Sequence, residues 1–144
     1  MKIILLDTNV VLDYLLLRSN YEDVVKIINL AINNEEYECV TSTSITDIGY
    51  IIGKEKDNNT RRFTSADIKR MIKDILQFID VLPTTDSDIN FALNLDWNDL
   101  EDAVQYSVAK TNGVDCIVTN NIKDFKKSEI EVLTPKEFLR KYCD

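Results

Sequence analysis

Residues Lys2-Ile3-Ile4-Leu5-Leu6 lead without a polar break into Asp7, and that stretch decides the fold. Such an unbroken apolar run is expected of a strand buried on both faces of a parallel sheet, which puts Asp7 at the strand's carboxyl end. Downstream, apolar residues recur at three- and four-residue spacing from Val10 to Leu17 and from Val24 to Ile32, predicting two helices, the second closed by Asn33-Asn34. A short strand is expected from Glu38 to Thr41, a helix from Ser44 to Lys54, a polar turn from Lys56 to Thr60, a helix from Ser65 to Gln77 and a strand from Phe78 to Leu82. Asp86 or Ser87 is expected to cap a helix reaching Leu95, and Asn98 or Asp99 another that ends at Asn112-Gly113. Cys116 to Thr119 and Glu131 to Leu133 read as short strands, and Thr134-Pro135 opens a last helix. Strands alternate with helices throughout, which implies a three-layer α/β/α fold around a central, mostly parallel sheet, as one domain over residues 1–144. Ligands of such folds bind where strands end at their carboxyl edge.

Composition narrows the chemistry. The 144 residues include no His, which removes imidazole acid/base catalysis and His-liganded metals, so catalysis rests on carboxylates. Three glycines, Gly49, Gly53 and Gly113, cannot build a phosphate loop or a dinucleotide turn. Gly49 and Gly53, one turn apart, read as close helix packing. Cys39, Cys116 and Cys143 are scattered and odd in number, against a disulfide framework or zinc knuckle and in keeping with a reducing cytoplasm. The apolar first seventeen residues are interrupted by Asp7 and Asp13 and lack a small-residue cleavage site, so they read as mature structure rather than a signal peptide. The net charge of −8 repels polyphosphate at long range unless several carboxylates converge and hold divalent cations.

Four segments each bring a carboxylate or amide to a position that an α/β sheet directs to one edge. Asp7 follows the first strand, and the strand at Cys116 delivers Asn121 and Asp124 into the equivalent loop. Asp99 and Asp102 share one side of a helix's first turn. Asp47 lies in a helix among Ile45, Ile48, Ile51 and Ile52, where a carboxylate is costly without a cation. Each residue also has an ordinary role open to it: Asp7, Asp99 and Asp102 as helix-terminus acids, Asn121 and Asp124 as turn formers, Asp47 on a solvated face.

Leu5-Leu6-Asp7-Thr8-Asn9-Val10 resembles the opening motif of PIN-domain ribonucleases, and Asp99-Leu100-Glu101-Asp102-Ala103 through Ala109 resembles their third. Thr119-Asn120-Asn121-Ile122-Lys123-Asp124-Phe125 is similar to their fourth motif and Leu133-Thr134-Pro135 through Leu139 to their usual ending. The resemblance spans essentially the whole chain. It implies a PIN-like fold and a divalent-metal-dependent endoribonuclease of the kind found as the VapC-like toxin of bacterial toxin–antitoxin pairs. Magnesium or manganese as cofactor, single-stranded RNA as substrate, an antitoxin protein as partner and a homodimer are implied with it. Carried over by position, the acids are Asp7, Asp47, Asp102 with Asp99 beside it, and Asn121 or Asp124. Asp47 is one methylene shorter than the Glu frequent at the second position, and Asn121 offers only a neutral oxygen. Crowded carboxylates repel and raise each other's pKa, and divalent ions relieve that repulsion.

RNA also needs cations outside the acid cleft. Lys54, Lys56, Arg61, Arg62, Lys69, Arg70 and Lys73 crowd one stretch, and Lys123, Lys126 and Lys127 flank the fourth motif. They either grip phosphates or form a solvated face balanced by Glu55, Asp57, Asp67 and Asp74. Two other classes stay open: a phosphatase of the haloacid-dehalogenase type, which also starts from a strand-end Asp but carries a second acid where this chain has Asn9, and a non-catalytic binding module that kept the fold.

Overall fold

The computed structural model describes residues 1–143. In chain order the elements are β1 (Ile3–Leu6), α1 (Thr8–Leu15), α2 (Tyr21–Ile32), β2 (Tyr37–Thr41), α3 (Ser42–Gly53), β3 (Lys56–Asp57), β4 (Thr60–Arg61), α4 (Ser65–Ile75), β5 (Asp80–Leu82), α5 (Asp86–Leu93), α6 (Leu100–Thr111), β6 (Cys116–Val118), a 3-10 turn (Ile122–Phe125), β7 (Glu131–Leu133) and α7 (Pro135–Tyr142). Five strands form a sheet in the order β5-β2-β1-β6-β7, and every pairing in it is parallel. The alternation read from the sequence thus becomes a sheet with β1 at its centre and helices on both faces.

Side chains alternate across that sheet. Ile4, Leu6, Val40 and Val118 point into one apolar layer with residues of α1, α2, α3, α4 and α7, whereas Leu5, Cys39 and Ile117 point into the other with α5 and α6. Burial of a central parallel strand on both faces is why residues 3–6 carry no polar group. The close-packing reading of Gly49 and Gly53 is not required by the structure: a Cβ on Gly49 would meet Ile72 at 3.8 Å and one on Gly53 would meet Ile68 at 3.7 Å, ordinary contacts that leave room for a small side chain between α3 and α4.

Several boundaries differ from the sequence reading, each for a local reason. The cap of α5 is Thr85 rather than Asp86 or Ser87, because Thr85 and Asp88 form a reciprocal capping box. The polar turn at 56–60 is the tip of a two-stranded hairpin, with Asn58 and Asn59 both at positive φ (50° and 67°), the geometry of a two-residue hairpin loop. Residues 122–125, read as loop, wind into the 3-10 turn. Among the described residues no helix is long and apolar enough to cross a membrane.

Candidate active site

The site starts from the sheet register. Leu6 pairs with Val118, and the Asp7 amide donates to the Val118 carbonyl at 3.0 Å, so Asp7 and Thr119 leave the sheet side by side. Asp7 occupies the N-cap position of α1, yet its side chain makes no capping bond. Instead Gln105 Nε2 donates to Oδ1 at 2.9 Å and the Thr119 hydroxyl donates to Oδ2 at 2.7 Å. The carboxyl is only 6% exposed. Burial pushes its pKa above the ordinary value; the donors Gln105, Thr119 and the Thr8 backbone oppose that rise, and the charge of Asp124 adds to it.

Helix α6 brings two of the expected acids to the same edge. Asp99 is its N-cap and accepts from the Asp102 amide at 3.0 Å, so it performs the capping role that its position allowed. Asp102 is half-buried, and its carboxyl is pushed up to about 7, first by burial and then by the negative charges of Asp7, Asp99, Asp124 and Glu101. Asn121 Nδ2 donates to Asp124 Oδ2 at 2.6 Å, and the Asn121 amide donates to the Thr119 hydroxyl at 3.1 Å, which ties the loop after β6 to the hydroxyl that holds Asp7. Asp47 is half-buried on α3 and reaches the group through Glu101.

Glu101, Gln105 and Thr119 were not among the sequence candidates. The Glu101 carboxylate accepts from the Thr8 hydroxyl at 3.0 Å, and that hydroxyl also pairs with Ser44 Oγ at 2.7 Å. Burial raises the Glu101 carboxyl most; the Thr8 bond opposes this, while the Asp47 carboxylate and then Asp7 push it further up. For Gln105 a signal existed: it is the one amide within the wholly buried run from Ala103 to Ala109, one turn beyond Asp102 on the same helix face. The partner of Glu101 lies 93 residues away, so no local pattern announces it.

The carboxylates share a field without forming a closed cage: among the described residues no three acid or thiol side chains already enclose a space for a metal ion. Like charges repel when uncompensated, and magnesium, which keeps several waters, commonly uses only one or two protein carboxylates. The donor set is oxygen throughout, and buried Gln105 Oε1 has no hydrogen-bond partner. Both features suit a hard divalent cation.

The basic residues divide. Lys54, Arg61 and Lys69 line one groove of about 400 Å³ over Gly49 and Gly53, with Lys54 Nζ 4.3 Å above the Tyr50 ring. Arg62 and Arg70 are instead turned to acids, Asp57 at 3.9 Å and Asp67 at 3.5 Å, in pairs open to solvent. Lys123 is on the 3-10 turn beside the acid group.

Known proteins resemble the chain in sequence and in fold. Over 145 aligned residues, 96% of this chain and 94% of the other, the sequence is 28% identical to Ribonuclease VapC1 of Aquifex aeolicus (strain VF5). The fold is similar to that in a DNA-bound VapBC structure from Salmonella typhimurium (TM-score 0.69, 16% identity, 94% of this chain and 99% of that one). It is also similar to VapBC2 of Rickettsia felis bound to a promoter DNA fragment (TM-score 0.66, 18% identity, 91% and 96%). The sheet-edge aspartate after β1, the acid pair opening α6 and the loop after β6 all fall within or at the border of residues 3–123, which match the PIN domain family model, and the chain belongs to that family.

Proposed function

We propose that this chain is an endoribonuclease that hydrolyses phosphodiester bonds of single-stranded RNA with Mg2+ or Mn2+. We further infer that it is the toxin of a toxin–antitoxin pair, held in check by an antitoxin protein and acting as a homodimer in the cytoplasm. The observation that carries the reading is Asp7, buried at the sheet edge, gripped on both oxygens by Gln105 and Thr119, and sharing a field with Asp102, Asp99, Asp124 and Glu101. The relative named as a ribonuclease and the VapBC complexes that share the fold support the activity and the partner.

Asp7, Asp47 and Asp102 would hold the ion, with Asp99, Glu101, Asn121 and Asp124 at the rim. When bound, the ion supplies positive charge that offsets the carboxylates, polarises the scissile phosphate and makes water nucleophilic at neutral pH. The protein's own work is positional. Gln105 and Thr119 fix both Asp7 oxygens, the Thr8 hydroxyl fixes Glu101, and Asp99 fixes the first turn that presents Asp102. RNA phosphates meet cations away from the acids, at Lys123 and at the groove of Lys54, Arg61 and Lys69; Arg62 and Arg70 contribute after release from their acidic partners.

The test is cleavage of unstructured RNA with Mg2+ or Mn2+, compared with excess chelator and with a small phosphate ester. Cleavage is expected only of RNA and only with metal, and Asp7→Asn abolishes it while leaving the circular dichroism spectrum unchanged. Full activity in chelator, or undiminished cleavage by Asp7→Asn, would overturn the reading. A properly folded chain that cleaves nothing would be the binding module instead.

A further inference from the structure

Beside the acid group, between the start of α6 and the 3-10 turn, lies a cleft of about 290 Å³ whose walls include Trp97, Asn98, Lys123 and Lys126 and whose inner end is formed by Asp99 and Asp124. We propose that this cleft takes one unpaired nucleotide of the RNA strand, its base packed against the Trp97 indole and its phosphate between Lys123 and Lys126. This rests on the ribonuclease reading and specifies where the strand adjoins the scissile bond.

Three observations carry it. First, Trp97 is partly exposed on the cleft yet rigidly held: it stacks on buried Tyr106 with ring centroids 4.7 Å apart and meets buried Phe125 edge-to-face at 5.7 Å. An aromatic surface fixed in advance loses little freedom on binding, and base stacking on such a surface tolerates any sequence. Second, the cations divide by engagement. Lys127 Nζ is spent on Asp96, 2.6 Å from its carbonyl and 3.0 Å from its carboxylate, whereas no ion pair of Lys123 or Lys126 is formed among the described residues. Those two lysines stand three residues apart on and just beyond the 3-10 turn, so both are free to meet one phosphate. Third, the cleft is at the small end of ligand-site volumes, room for a single nucleotide but not for a duplex. A base inside a duplex must first give up its pairing and stacking, at a cost of a few kcal/mol, to reach the indole, so an unpaired strand is the favoured occupant.

Trp97 is the only tryptophan in the chain, so its fluorescence reports this cleft alone. The Asp7→Asn protein, which binds without cutting, is titrated with a short unstructured oligoribonucleotide carrying a fluorescent end label, following label anisotropy and Trp97 emission together. Both signals should change with one midpoint, and a duplex of the same sequence should leave the emission unaltered. Trp97→Leu in that background should weaken binding about tenfold or more, the size expected for loss of one stacked base, with Trp97→Phe in between. Lys123→Gln with Lys126→Gln should weaken it and flatten its dependence on salt. Anisotropy that saturates while Trp97 emission stays flat, or unchanged affinity in both Trp97 variants, would overturn the subsite and leave the ribonuclease reading standing. A wild-type chain that neither binds nor cleaves RNA would remove both.

Discussion

Two buried carboxylates on neighbouring strands meet opposite surroundings. Asp7, at the end of β1, has hydrogen-bond donors on both oxygens and other acids around it. Glu38, within β2 and paired in register with Ile4, is 1% exposed, and neither of its oxygens has a partner among the described residues. Burial is the first cause of a raised pKa in both, and it takes Glu38 to about 8, with the charge of Glu36 adding to it. Burial alone therefore marks no site. What separates the two is the donors: Gln105 and Thr119 stabilise charge on Asp7, whereas Glu38 is kept neutral by its apolar surroundings.

The comparison breaks most severely at the Asp7 end. Gln105→Met removes one donor at nearly constant volume and also removes the orphaned Oε1; it leaves buried Asp7 Oδ1 short of a donor, so the fold should lose about 1–3 kcal/mol yet persist. Activity should fall by about 10–100-fold, the usual effect of losing a group that orients a ligating carboxylate. Cleavage rates set beside thermal unfolding decide it. Wild-type activity in this variant would mean that the donors are not what makes Asp7 functional.

At the Glu38 end the effect is on stability. Its carboxyl titrates near 4.5 when unfolded and near 8 when folded, so the folded chain holds the extra proton between those values. The associated stability is fully present below the unfolded value and is lost as pH rises through the folded one. Glu38→Met removes the buried acid and should stabilise the fold by about 1–3 kcal/mol at neutral to alkaline pH. Denaturant unfolding at several pH values should show a steeper decline for the wild type than for the variant. Parallel curves would show that Glu38 finds a partner in solution.

These contrasts also mark what a sequence can disclose. The apolar run at residues 3–6 placed Asp7 at a sheet edge, because burial on both faces forbids polar residues there and the first polar residue must lie where the strand ends. Asp99 and Asp102 were legible from helix-start spacing, and the PIN resemblance ordered all four acidic segments. The donors were less accessible. Gln105 left a trace as an amide in an apolar helix, but the bond from Thr119 to Asp7 depends on the parallel register of β1 and β6, 112 residues apart, and the bond from Thr8 to Glu101 on the meeting of α1 and α6, 93 residues apart. Glu38 stood at the start of an expected strand, and nothing local in that stretch announced that it would be 1% exposed in the folded chain. The apparent cationic cluster from Lys54 to Lys73 divided for a similar reason, since the hairpin and the capping box of α4 commit Arg62 and Arg70 to local acids.

Asp13 sharpens the comparison, as a buried acid that has donors but lies outside the acid group. It is 5% exposed on α1 and accepts from Asn120 Nδ2 at 2.7 Å and from Asn20 Nδ2 at 3.4 Å, while Asn20 also donates to Asn120 Oδ1 at 3.0 Å. The network ties the loop after β6, which carries Asn121 and Asp124, to the turn between α1 and α2. If donors are what allow a carboxylate to be buried, Asn120→Ala should destabilise the fold by about 1.5–3 kcal/mol, the worth of a hydrogen bond to a charged group. Asn120→Asp should do worse at neutral pH, because it sets a second carboxylate against Asp13. Adding Asp13→Asn to Asn120→Asp restores one donor and one acceptor in exchanged order and should recover most of the loss, a coupling that a double-mutant cycle of unfolding free energies measures directly. Cleavage should fall less in Asn120→Ala than in Gln105→Met, since Asn120 holds the loop rather than the acid itself. Additive effects in the cycle would mean that Asp13 and Asn120 are not bonded in solution, and Asp13 would then join Glu38 as an acid buried without support.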